Sequence, residues 1–161
     1  MSSVSDLVAD FGQTIGLKDL ALDEKNCCTL QFDHVVVNLE YLPESEEFYF
    51  YSRVWAVPEN GETRLRTFTY LLETDCFFRG TSGGVLGVDM ARDAIIYTNK
   101  VGTDGWRNAN VFGDYVQAFV NLAEEFEAQI REITTASFGN DGETSQDSSE
   151  LSIRSGMAIR V

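Results

Sequence analysis

A chain of 161 residues with 43% hydrophobic side chains is long enough to bury a core and fits one domain, which argues against wholesale disorder. Its formal net charge of −14 would repel phosphate backbones, so nucleic-acid binding is disfavoured, while the same charge favours solubility. Cys27, Cys28 and Cys76 make no disulfide framework, because neighbouring strand residues point apart and the count is odd. That pattern suits a reducing cytosol. The first residues carry no basic region followed by an apolar run, and no apolar stretch has the length of a membrane span. A soluble intracellular protein is expected.

Val4, Leu7, Val8, Phe11 and Ile15 recur at helical spacing and predict a helix over residues 4–15. Ser3 with Asp6 forms its capping signal, and Gly16 stands where a left-handed C-terminal residue is wanted. Three strand-like runs follow. Cys28, Leu30 and Phe32 alternate with polar residues, residues 35–42 alternate again, and residues 48–55 are aromatic and β-branched throughout. The turn at 43–47 pairs the last two as a hairpin, giving an antiparallel meander.

The third run is apolar on both sides. Phe48, Phe50, Ser52 and Val54 share one face, and Tyr49, Tyr51, Arg53 and Trp55 share the other. A half-exposed antiparallel strand has one wet face, so something must cover each side here.

Leu65, Phe68, Leu72 and Cys76 predict a second amphipathic helix, and residues 80–84 form a glycine-containing loop. Residues 85–89 and 94–101 read as two more strands. Val111, Tyr115, Phe119, Leu122, Phe126, Ile130 and Ile133 form one continuous stripe, a helix of about six turns that should lie along the sheet. The Phe48–Phe50–Val54 side is expected, with the reverse assignment left open, since periodicity does not say which face is inward. The fold class is therefore α+β, in the order α-β-β-β-α-β-β-α. Residues 1–136 make the domain. Residues 137–161 comprise an acidic, loosely held linker, its core at 139–150, and a short apolar tail from 151, of the kind that docks back on its own domain or on a partner.

No enzyme constellation emerges. His34 follows Asp33, but adjacent strand residues point to opposite faces and do not form a dyad, so a turn or edge histidine is expected. Vicinal Cys27 and Cys28 lack the spacing of a zinc or redox pair. Gly80, Gly83, Gly84 and Gly87 resemble a phosphate loop only superficially, since the Lys-Ser/Thr ending is missing and a strand follows. No catalytic residue, metal or cofactor is expected. What remains is a surplus of aromatic side chains, each worth several kcal/mol if covered, at ~25 cal/mol/Å² over roughly 150–250 Å². Contiguous exposure on that scale marks an interface.

The runs 7–17, Leu20-Ala-Leu-Asp23 and Leu30-Gln-Phe-Asp33, with the element order through residue 133, resemble the class I type III secretion chaperones of the Tir-chaperone-like family. The ending Gly156-Met157 through Arg160-Val161 is similar to the regulatory, ExsC-like kind. The resemblance implies a homodimer of the bacterial cytoplasm, without enzymatic activity, that binds the extended N-terminal segment of a secreted effector and keeps it secretion-competent in a virulence apparatus. It implies an effector groove at Leu7, Phe11, Ile15 and Leu17, a sheet surface at Val36, Asn38, Tyr49, Tyr51 and Trp55, and a dimer interface at Leu65, Phe68, Leu72, Val85, Leu86 and Val88. A regulatory chaperone of the same fold, sequestering an anti-activator protein, is the alternative. A small-molecule α+β enzyme is a distant third.

Overall fold

Local chemistry sets the first element. The Ser3 hydroxyl accepts from the Asp6 N–H at 3.1 Å while the Asp6 carboxylate accepts from the Ser3 N–H at 2.9 Å, a reciprocal cap that starts helix α1, Val4–Thr14. These bonds hold the Asp6 carboxyl below its usual range. Gly16, at φ +83°, ends the helix in a conformation that costs other residues steric strain. Strands β1 (Cys27–Phe32), β2 (Val35–Leu42) and β3 (Glu47–Trp55) form the expected meander. Helix α2, Gly61–Asp75, starts four residues before its first large apolar side chain, because the Asn60 carboxamide oxygen accepts from the Glu62 and Thr63 N–H groups. Strands β4 (Val85–Asp89) and β5 (Ala94–Gly102) lead into α3, Ala109–Ala136, about 42 Å long at 1.5 Å per residue. The structure, a computed structural model, describes residues 3–106 and 108–136, so the acidic linker and apolar tail of 137–161 lie outside the described residues.

The five strands form one antiparallel sheet in the order β1-β2-β3-β5-β4. The chain leaves β3, runs through α2 to the far edge as β4, and returns as β5 between β4 and β3. Leu30, Val37, Leu39, Phe48, Phe50, Ile95 and Tyr97 point to one side and are buried there with Val8 and Phe11 of α1, Leu71 of α2 and the stripe of α3. The long helix lies on the Phe48–Phe50–Val54 side, a choice between the two faces that periodicity alone does not make. Aromatic rings hold this layer together. Phe50 meets Tyr115 at 4.9 Å and Phe119 at 5.7 Å between centroids, and Tyr97 stacks on Phe119 at 4.7 Å.

One expectation fails at the end of β3. The pairing with β5 slips between Arg53 and Trp55, so that Arg53 opposes Ile96 but Trp55 opposes Ile95. Ile95 is buried on the helix side, and Trp55 turns to that side with it. The Arg131 guanidinium of α3 lies 5.6 Å from its ring. Trp55 therefore does not share a face with Tyr49 and Tyr51, because the extra residue of the bulge resets the alternation.

Replacing Phe50 by Ala should lower unfolding free energy by about 3–5 kcal/mol in urea titration, since it empties the centre of the ring cluster. A loss under ~1 kcal/mol would mean that the ring cluster is not the core.

Candidate functional site

The sheet face turned away from the helices is built in lateral rows. Thr29, Asn38, Tyr51, Thr98 and Val85 stand in register across all five strands, and Cys27, Glu40, Tyr49 and Lys100 form a neighbouring row. Val36 and Ile96 add apolar surface beside them. The Thr29 hydroxyl donates to the Asn38 carboxamide oxygen at 2.9 Å, and the Asn38 amide donates to the Tyr51 carbonyl at 3.4 Å. This arrangement fixes Asn38 between two strands. Lys100 lies 5.9 Å from the Tyr49 ring and 2.8 Å from the Glu47 carboxylate. Its hydrogen bond, with a second from Ser45, holds the Glu47 carboxyl below the usual range and raises the lysine. Burial, with Cys27 and Glu40 nearby, pushes the Tyr51 hydroxyl up. All three helices send their buried residues to the opposite side, so the described residues leave this face open. Val36, Asn38, Tyr49 and Tyr51 come together on it as expected.

The α1 residues divide. Leu7 is buried in the core, and Phe11 is buried edge-on against Phe112 at 5.1 Å, so neither presents a free side chain as expected of groove residues. The apolar stripe of α1 is used up against α3. Phe11 does help line a cleft of about 360 Å³ between the end of α1 and the start of α3, with Ile15, Phe32, Gly113 and Val116. Ile15 is 39% exposed and Leu17 47% exposed beyond it.

A third surface runs along α2, the turn after it and the β4 edge. Leu65 and Leu72 are 68% and 74% exposed on α2, and Val85 and Val88 are exposed on β4. Phe68 is half-buried against the core, and Leu86 is buried in it because its side chain faces inward with Tyr97. The expectation of Leu86 at an interface is thus corrected by strand parity. The sequence reading missed Phe77, 79% exposed, with Phe78 and Met90. Phe77 and Phe78 adopt φ values of 57° and 56°, a left-handed conformation that costs bulky residues about 1–3 kcal/mol each. Nothing in a Phe-Phe pair signals such a turn.

Asp75 ties this surface together, its carboxylate accepting from the Leu86 N–H at 2.9 Å. Burial raises its pKa and that hydrogen bond only partly offsets the rise. A raised folded pKa means the ionised carboxylate destabilises the fold above that pKa, and the penalty vanishes as pH falls below the ordinary carboxyl value. Asp75→Asn should therefore match or exceed wild-type stability at pH 7 and lose that advantage under acid. Thermal unfolding from pH 7 to 3 checks this, and a variant advantage that grows on acidification would contradict it.

The remaining chemistry is structural. His34 sits exposed in the β1–β2 turn, its Nε2 3.2 Å from the Glu127 carboxylate, which also pairs with Arg131. The glycine loop folds onto the sheet: the Tyr97 hydroxyl donates to the Thr81 carbonyl at 2.9 Å, and the Thr81 hydroxyl donates to that of Gly84. A Cβ on Gly84 would meet the Thr98 carbonyl at 2.6 Å, so glycine is required by close approach. Among the described residues no group of three or more His, Cys, Asp or Glu is placed to hold a metal, and no helix is long and apolar enough to cross a membrane.

Residues 6–127 match the model of the Tir chaperone protein (CesT) family. No curated protein sequence matches significantly. Among solved structures, the chain is similar to one in the ExsC–ExsE complex, at 23% identity over 79% of this chain and 92% of that one, with a TM-score of 0.66. It is also similar to one in the Yersinia pestis complex of the type III secretion chaperone SycH with a fragment of YscM2, at 15% identity over 77% and 99%, TM-score 0.59. A third similarity is to one in the ExoU–SpcU complex of the type III secretion system of Pseudomonas aeruginosa, at 17% over 81% and 97%, TM-score 0.55.

Proposed function

The chain belongs to the Tir chaperone protein (CesT) family, and from that premise we propose that it is a type III secretion chaperone whose client is the extended N-terminal segment of a secreted effector. The observation that carries this reading is the two-sided character of the sheet. One face is sealed by rings from α3, and the other offers Val36, Asn38, Tyr49 and Tyr51 uncovered. An extended segment can lay alternate apolar side chains across such rows, with its polar groups meeting Asn38, Thr29 and Thr98. The cleft at Ile15, with Leu17 beyond it, takes a second stretch of the same client. The role is binding rather than turnover. Ordering the client costs conformational entropy, so a broad contact gives moderate affinity and permits release for secretion. The net charge of −14 keeps the complex dispersed and favours basic client segments.

In this reading the protein is a homodimer. Leu65, Leu72, Phe77, Val85 and Val88 present the exposed apolar surface a second copy would cover, with Phe68 beneath, and its extent supports a subunit contact rather than a solvated face. Strain at Phe77 and Phe78 is tolerable where burial against a partner offsets it.

The double substitution Tyr49→Ala/Tyr51→Ala should weaken binding to the effector co-purified from the native host about tenfold or more, while changing fold stability by under ~1 kcal/mol. Equal losses in both would return the tyrosines to a purely structural role. Leu72→Glu should convert the dimer to monomer in sedimentation, and a wild-type protein that is monomeric at the same concentration would sink the dimer reading.

A further inference from the structure

The ring layer between β5 and α3 is not filled throughout. A cavity of about 70 Å³ remains where the loop at 80–84 meets it, lined by Ser82, Tyr97, Asn99, Tyr115, Phe119 and Leu122. Among the described residues, the Tyr115 hydroxyl oxygen is the one buried side-chain nitrogen or oxygen without a hydrogen-bond partner. The ring packs against Phe50 at 4.9 Å and Trp106 at 5.6 Å between centroids, which fixes where that hydroxyl sits. Burial, with Tyr97 nearby, holds the phenol above its ordinary value, so the group stays a neutral donor and acceptor.

A hydroxyl in that position is costly without a partner, because folding strips it of solvent and returns no bond. The rest of the lining carries polar groups with capacity to spare. Tyr97 donates its proton to the Thr81 carbonyl at 2.9 Å, and its oxygen can still accept. The Asn99 carboxamide donates to the Ser82 carbonyl at 3.4 Å, a long bond that leaves this oxygen room for a second donor. The lining is thus polar at Ser82, Asn99 and the two phenols, and apolar at Phe119 and Leu122. Cavities with apolar walls alone stay dry, whereas one with about two to four polar partners holds water once it offers ~10–15 Å³. The cavity beside Tyr115 is several times larger than that floor.

We propose that this cavity is a binding site for an ordered water, which accepts the Tyr115 proton and bridges it to the polar group formed by Tyr97, Ser82 and Asn99. The bridge ties the middle of α3 to β5 and to the loop that follows the Phe77–Phe78 turn. It makes the hydroxyl a contributor to the fold instead of a defect in the ring layer. The site is separate from the open sheet face and from the cleft beside α1, so the inference stands apart from the effector reading and its test contains no client.

The test pairs one substitution with one direct observation, both on the full-length chain. Tyr115→Phe removes the hydroxyl and keeps the ring. If water satisfies that hydroxyl, the unfolding equilibrium constant in urea titration rises about three- to tenfold, the loss of one made hydrogen bond. An orphaned hydroxyl predicts the opposite sign, so a constant that is unchanged or lower in the variant overturns the proposal. A crystal structure of the wild-type chain that resolves ordered solvent supplies the observation. It should show a water within ~3.2 Å of the Tyr115 oxygen and of a polar atom of Tyr97, Ser82 or Asn99. A dry cavity there, or a Tyr115 hydroxyl bonded directly to a protein atom, overturns the proposal whatever the titration gives.

Discussion

The structure depends on a one-sided aromatic seam between β3 and α3. Phe50 sits at its centre, with the rings of Phe48, Trp106, Phe112, Tyr115 and Phe119 all within 6.1 Å of its own. At ~25 cal/mol/Å², each ring in such a cluster contributes several kcal/mol. Strand alternation makes the seam directional. Sinking Phe48 and Phe50 into the helix layer obliges Tyr49 and Tyr51 to face the other way, and a slip of one residue would reverse every side chain at once. The open face is thus the geometric complement of the core.

The protein carries apolar surface in three separate places, and that constraint explains the first of them. The open face follows from alternation along β3. The cleft at Ile15 and Phe32 follows from α1 being a helix of 11 residues laid beside one of 28, which leaves a step where the shorter one ends. The α2–β4 surface has a different origin. α2 buries only Thr63, Thr67 and Leu71 on its inner side, so Leu65 and Leu72 are outward by helical phase. With three helices committed to one layer, nothing described remains to cover the other surfaces.

The sequence made the periodic parts of this arrangement legible. The stripe through Val111 to Ile133 specified α3 but not the sheet face it covers, and the capping residues Ser3 and Gly16 marked the ends of α1 within one residue. The failures share a cause: pattern counting assumes an unbroken period and cannot say what a stripe packs against. Trp55 was misplaced because a bulge inserts a residue into β3, and no residue type there announces it. Leu7 and Phe11 formed a correct stripe, but its occupant is α3 rather than a groove. Leu86 adjoins Val85 in sequence, but its side chain turns to the opposite face beside Tyr97 and is buried. Phe77 and Phe78 were invisible because left-handed aromatic residues follow no sequence rule.

The central claim is that one sheet face is sealed and the other receives a client. Hydroxyl-radical footprinting read by mass spectrometry, on the free protein and on its complex with the co-purified effector, tests it most directly. Tyr49 and Tyr51 should be oxidised in the free protein and protected in the complex, while Tyr97, fully buried in the seam, stays unmodified in both. Tyrosines 49 and 51 that react equally in the free and bound states would contradict the account.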